Sequence, residues 1–98
     1  MDSLQQLQQW FQRRCDGEWE HSRGIEIETI DNPGWLVTID LAETEWAGIE
    51  VPRTVEERSP TDWIQFEVAA SKFTGAGGPA NLSEIVEAFF KVLQANQK

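Results

Sequence analysis

The side chains best able to do chemistry gather early in the chain, in Cys15-Asp16-Gly17-Glu18-Trp19-Glu20-His21. This stretch holds the only cysteine and the only histidine of the sequence, with Glu18 and Glu20 between them. A thiol beside an imidazole is the makings of a Cys–His nucleophile, and an imidazole among carboxylates that of a mixed metal site. Both chemistries need a base and an orienting group placed in three dimensions, whereas here the sequence supplies only closeness along a loop. The competing reading is architectural and is the one favoured: Cys15 is a small buried hydrophobe at a helix end, and His21 hydrogen-bonds an Asp or Glu to fix the next connection. A lone cysteine excludes an intramolecular disulfide and a cysteine-based zinc centre in one chain. No metal or other cofactor is expected.

Three further patterns carry chemical meaning. Gly75, Gly77 and Gly78, just before Pro79 and an expected helix, have the composition of an anion-cradling loop. They lack the Gly-Lys-Ser/Thr ending of a P-loop and the spacing of a dinucleotide fingerprint, so a tight connection that brings backbone close to a sheet is preferred. Carboxylates come in pairs at Glu18/Glu20, Glu26/Glu28, Glu43/Glu45 and Glu56/Glu57. Their abundance on solvated segments argues against a single catalytic pair, which would need one buried, raised carboxyl. Trp19, Trp46 and Trp63 lie among these acids, and tryptophan is enriched at binding hot spots. Trp10 and Trp35 are assigned to the core.

The elements that must position these residues follow from periodicity. Ser3 is expected to cap a first helix with Leu4, Leu7, Trp10 and Phe11 on its apolar stripe, Arg13 and Arg14 in its last turn, and Asp16-Gly17 as its stop. Alternation in Ile25-Glu26-Ile27-Glu28-Thr29 predicts a half-buried strand. Asp31-Asn32-Pro33-Gly34 predicts a turn with glycine at a positive φ, and Trp35 to Leu41 a returning strand. A third strand is expected over residues 48–57 with Ile49, Val51 and Val55 inward, bulged, broken or at an edge because of Pro52. A fourth spans Trp63 to Ala70, and a short fifth passes through Lys72-Phe73-Thr74. Asn81 is expected to cap a last helix, with Glu84 completing a capping box and Leu82, Ile85, Val86, Phe89, Phe90 and Leu93 facing inward. The fold class predicted is α+β: an antiparallel meander of four to five strands, with the N-terminal and C-terminal helices packed on one face.

With 98 residues, five Trp and five Phe, the chain is sized for one domain and one core. The formal net charge is -9, and residues 16–67 carry fourteen Asp and Glu against Arg23, Arg53 and Arg58. Such a field repels nucleic acid and anionic lipid and steers basic proteins into encounter. The N-terminus has neither the basic nor the apolar region of a secretory signal, and no apolar run is long enough to span a membrane. A cytoplasmic location is expected, with no nucleic acid or membrane as partner.

The Cys15 to His21 stretch, Gly24, Asp31-Asn32-Pro33-Gly34-Trp35, Thr44, the Glu57-Arg58-Ser59 to Asp62-Trp63 segment and Gly75-Ala76-Gly77-Gly78-Pro79 stand in an order and spacing that resembles the immunity protein 53 family of bacterial polymorphic toxin systems. The resemblance runs from about Trp10 to Phe90 and describes residues 1–98 as one immunity-protein-like domain. It implies a protein that binds and neutralises a cognate toxin domain of the same cell, with no turnover. Strand parity, not the resemblance, selects Glu26, Glu28, Asp40, Glu45, Trp46, Glu50 and Trp63 as the partner-binding surface, facing a toxin with a basic surface, such as a nuclease. In the same parity scheme Glu26, Glu28, Asp40, Glu50, Glu56 and Glu67 point away from the core. Cys15, Asp16, Gly17, Trp19, Glu20, His21, Asn32, Pro33, Gly34, Trp35, Gly75, Gly77 and Gly78 are taken as a structural motif, of which the Cys15 to His21 part serves either as scaffold or as interface. Two rivals stand beside this reading: a small thiol-dependent enzyme of sulfurtransferase type using Cys15 and His21, and a small-ligand module using exposed tryptophan beside carboxylates.

Overall fold

A computed structural model describes residues 2–97. The first helix, α1 (Ser3–Arg14), begins one residue earlier than the serine suggested. Asp2 is its N-cap: its carboxylate accepts the Gln5 backbone N–H at 2.8 Å while the Gln5 side chain accepts the Asp2 N–H at 3.1 Å. An ionised cap suits the positive helix end better than the Ser3 hydroxyl and is worth about 1 kcal/mol. Gly17, at φ +97°, follows the helix and turns the chain into a single helical turn, α2 (Trp19–Ser22).

Five strands follow: β1 (Ile25–Ile30), β2 (Gly34–Asp40), β3 (Val51–Glu57), β4 (Trp63–Ala69) and β5 (Lys72–Gly77). All pair antiparallel, in the order β1-β2-β5-β4-β3. The expected α+β architecture is present, with one refinement of the meander. The β1–β2 hairpin and the β3–β4–β5 meander lie side by side, and β5 joins them as the central strand. Gly75, Ala76 and Gly77 are therefore strand residues rather than a loop. A Cβ at Gly75 would stand 2.6 Å from Ile85 Cγ2, and one at Gly77 3.0 Å from Ile85 Cδ1. Their glycines open a shallow track along the sheet in which the last helix, α3 (Leu82–Ala95), seats Ile85.

Gly34 likewise differs from expectation. It lies in β2 without a positive φ, and a Cβ there would collide with the Gly77 carbonyl oxygen, so glycine serves strand approach rather than turn conformation. The β4–β5 hairpin uses Ala70 and Ser71 at φ +53° and +58°, a two-residue primed turn without the usual Asn or Gly. Ser71 also anchors the long β2–β3 crossover, because its carbonyl accepts the Leu41 N–H at 2.7 Å and its hydroxyl accepts the Gly48 N–H at 3.1 Å.

Both helices cover one face of the sheet. Phe89 of α3 is fully buried, with Trp10 of α1 and Phe73 of β5 each 5.2 Å from its ring centre in edge-on contact. Val37, Ile39, Leu41, Ile64 and Val68 complete the layer beneath them. Burial of each such side chain contributes about 1.5–3 kcal/mol relative to exposure.

Candidate functional site

The Cys15 to His21 stretch forms a hydrogen-bonded knot. The Asp16 carboxylate accepts the N–H groups of Glu18 (2.9 Å) and Trp19 (3.0 Å), and the Glu20 carboxylate reaches back to those of Asp16 (3.0 Å) and Gly17 (2.8 Å). These amides hold both carboxyls below the usual range, Asp16 through Trp19 and Glu18, and Glu20 through its own amide and those of Asp16 and Gly17. The knot fixes Trp19, which is 4% exposed, packs edge-on to Trp10 at 5.9 Å, and donates its indole N–H to the Ala42 carbonyl at 3.0 Å. It thus ties α1 to the β2–β3 crossover.

Neither chemically reactive residue has the role that spacing suggested. Cys15 is exposed rather than buried, and its thiol donates to the Phe11 carbonyl at 3.3 Å. Local desolvation and the Glu20 and Asp16 carboxylates push that thiol up, which disfavours the nucleophilic thiolate. His21 is exposed with no side-chain hydrogen bond among the described residues; Glu20 does the fixing that was expected of the imidazole. Among the described residues no three His, Cys, Asp or Glu side chains are gathered to hold a metal ion.

A second polar cluster, which sequence reasoning missed, closes the opposite end of the sheet. The Arg58 guanidinium pairs with both oxygens of Asp62 (2.8 and 3.1 Å), with Glu84 (2.6 Å) and with Glu56 (3.2 Å). The Asn81 amide donates to Asp62 at 3.0 Å and to Glu84 at 2.9 Å. Arg58, followed by Asn81, holds Asp62 at about 2 and lowers Glu84, while its carboxylate partners raise Arg58. The capping box expected on α3 does not form, since Asn81 makes no side-chain cap bond and gives its amide to this network instead. The available signal was a single arginine with an acid four residues on, a pattern too common to single out.

The sheet face away from the helices is the remaining candidate. The register places Glu26, Thr38, Thr74 and Glu67 in one row across it, and Glu28, Leu36, Ala76, Gln65 and Val55 in the next. Thr38, Thr74 and Ala76 floor the middle, Glu26 and Glu28 form the β1 flank, and on the other side Glu67 shares the face with Arg53, whose guanidinium donates to Gln65 at 3.0 Å. Of the seven residues selected by parity, Glu26 and Glu28 lie here, exposed and free of ion pairs among the described residues. Trp63, opposite Glu57, is half-buried at the end of the same face. Asp40 also belongs to it, but is occupied: it sits 3.5 Å from the Arg23 guanidinium, opposite Lys72, and accepts the Ala42 N–H at 2.9 Å. Glu45 stands in the crossover, 4.0 Å from Arg14, and Glu50 is exposed before β3.

Trp46 is a correction. It is 6% exposed, donates its indole N–H to the Leu93 carbonyl at 3.2 Å, and shares with Trp10 the Arg14 guanidinium, 5.6 and 5.5 Å from the two rings. A residue so enclosed cannot anchor a partner. Val55 and Glu56 also exchange their expected sides. The register slips between Val51 and Thr54 at Pro52-Arg53, and this bulge reverses parity, so Val55 is 55% exposed on the outer face and Glu56 stands opposite Ile64 on the helix side. There it borders a groove of ≈ 510 Å³ between β3–β4 and α3, floored by Ile64, Phe66, Ala88 and Val92.

No helix among the described residues is long and apolar enough to cross a membrane. Comparison with curated proteins and with solved structures finds no match. A family model does match, over residues 4–94, which takes in the knot, the Arg58 cluster, the glycine track and both principal helices. Its description is immunity protein 53, and on that extent the chain belongs to this family of immunity proteins.

Proposed function

We propose that this immunity protein neutralises a cognate bacterial toxin domain by stoichiometric binding in the cytoplasm, through the outer face of its sheet. The observation that carries the reading is Glu26 and Glu28 side by side on β1, with Glu67 across the row from Glu26, carboxylates in no ion pair among the described residues on a face that neither helix covers, although Arg53 and Lys72 share that face. Fixed, unpaired charge on a rigid sheet attracts a basic protein surface at long range and costs little reorganisation on docking. A toxin with a cationic substrate cleft, such as a nuclease, fits this field, and occupation of the cleft would exclude nucleic acid. No catalytic step is assigned to the chain. Cys15 has a raised thiol, and no imidazole is joined to it by a hydrogen bond.

Co-expression with the cognate toxin tests the reading. Wild-type protein restores growth, and Glu26→Lys/Glu28→Lys reduces protection while leaving the far-ultraviolet spectrum and melting temperature in place. Association measured by stopped flow slows as salt rises, because steering by exposed charge is screened beyond about 10 Å at 0.1 M. Full protection by the charge-reversed protein would move the interface off this face.

A further inference from the structure

The two edges of the sheet differ in how they treat an incoming strand. At the β3 edge Pro52 cannot donate a hydrogen bond and the Pro52-Arg53 bulge twists the strand out of register, the ordinary protections of an exposed edge. β1 has six residues in continuous register with β2 and carries no proline, bulge or lysine. Asp40 donates its N–H to the Gly24 carbonyl, so antiparallel alternation turns the peptide groups of Glu26 and Glu28 toward β2 and those of Ile25, Ile27 and Thr29 outward. Glu26, Ile27, Glu28 and Thr29 are all exposed.

Side chains on the two sides of this edge differ in chemistry. Glu26 and Glu28 flank it on the outer face. On the helix side it is apolar: Ile27 is 39% exposed and Phe11 37% exposed, and a depression of ≈ 230 Å³ lies between α1 and Ile25, lined by Leu7, Gln8, Phe11 and Ile25. A strand added here would extend the apolar layer with one set of alternate residues and meet two carboxylates with the other. A second copy of the chain fits poorly, because antiparallel pairing about Ile27 sets Glu26 of each copy against Glu28 of the other, and like charges directly opposite destabilise a pair.

We infer that the free edge of β1 captures an extended segment of the partner protein that alternates cationic and apolar residues, making it a sixth strand of the sheet. The inference deepens the proposed toxin binding and rests on it for the partner's identity. Backbone pairing supplies affinity that does not depend on partner sequence, while Glu26, Glu28 and the Phe11–Ile27 surface select the side chains.

The test uses the full chain, isotopically labelled, with a capped synthetic peptide alternating Lys and Val as probe. Amide exchange at Ile25, Ile27 and Thr29 should slow by at least about tenfold at saturation, the alternation marking strand pairing. A peptide alternating Glu and Val should have no such effect. Ile27→Pro removes one outward donor and no internal one, and should weaken peptide binding about tenfold or more, equivalent to about 1.4 kcal/mol. Thr29→Pro, on the same outward register, serves if Ile27→Pro fails to fold. Equal binding of the acidic peptide, shifts confined to Thr38 and Thr74, or a β1-paired dimer in sedimentation would overturn the inference. With the cognate toxin, a proline variant that protects fully beside a protecting wild type sinks edge capture alone. Wild-type protein that fails to protect removes instead the reading it rests on.

Discussion

Adding one methyl group to the central strand probes how the glycine track admits α3. In Gly75→Ala the new Cβ stands 2.6 Å from Ile85 Cγ2 and 3.0 Å from Phe73 Cε1. Carbon atoms pack at about 3.5–4.0 Å, so Ile85 must retreat by about 1 Å. It has nowhere to go: Ile85 is 1% and Phe73 0% exposed. Overpacking of this kind costs about 1–3 kcal/mol, and a domain of this size loses about 4–8 °C of melting temperature per kcal/mol. Ile85→Ala alone creates a cavity costing about 2–5 kcal/mol. In the double variant the alanine methyl occupies the volume vacated by Cγ2, so the combined loss falls short of the sum by about 0.5–3 kcal/mol. Urea unfolding of the four proteins measures this coupling. Gly24→Ala, where a Cβ meets nothing within 4 Å, should change stability by no more than about 1 kcal/mol. Strict additivity of the pair, or a neutral Gly75→Ala, would refute the claim that glycine is there to let the helix approach.

Trp46→Phe should lower stability by about 1–3 kcal/mol, through loss of the bond to the Leu93 carbonyl and of ring area against Arg14, yet leave toxin affinity unchanged; an affinity loss without a stability loss would make it a contact residue. Cys15→Ala should melt within about 0.5 kcal/mol of wild type and protect fully, whereas lost protection with an intact fold would bring back a role for the thiol. Ala70→Gly should gain about 0.5–1 kcal/mol by relieving a left-handed residue at φ +53°, and a lower melting temperature would count against strain at that turn. Asp16, Glu20, Asp62 and Glu84 all have folded values below their unfolded ones. Their contribution is therefore complete above about pH 4–5 and disappears as the pH falls toward the folded values, about 2 for Asp62. Melting temperature followed through this window should drop, and Asp62→Asn should lessen the drop; an unchanged acid profile in that variant would mean the Arg58 cluster is not its source.

The elements were legible because their signals are local. The apolar stripe of Leu7 and Trp10, the alternation of Ile25 to Thr29 and the run from Ile85 to Leu93 each specify their own period. Strand order was not legible, since pairing of β2 with β5 is a contact between segments more than thirty residues apart. The glycines of Gly75-Ala76-Gly77 look like loop composition until a helix is laid over them. Parity carried the outer face correctly through Glu26, Glu28, Trp63 and Glu67, and failed past Pro52, where one inserted residue turns Val55 out and Glu56 in. Proline announced an irregularity without saying which kind. Trp46 misled because its sequence neighbours are acids, while its spatial neighbours are Trp10, Arg14 and Leu93. Cys15 and His21 attracted attention through chemical rarity, but the work of the motif is done by the commoner Asp16 and Glu20.

Asp16, Glu20, Trp19, Gly34, Gly75, Arg58 and Asn81 each meet a requirement imposed by another part of the same chain: an amide to accept, a carbonyl to approach, a carboxylate to fork. Replacing any of them leaves a hydrogen-bonding group without its partner or sets a new Cβ against a neighbour that is too close. Glu26, Glu28 and Glu67 meet no such requirement, having no side-chain hydrogen bond or ion pair among the described residues, and Thr38 and Thr74 between them point away from the inner layer. Partner specificity is a difference between affinities, set by which charges oppose and which side chains clash. If the outer face binds the toxin, as proposed, its exposed carboxylates can be exchanged for a new partner at little cost in stability. Backbone pairing at β1 would survive every such rewriting, because it depends on peptide groups rather than side chains.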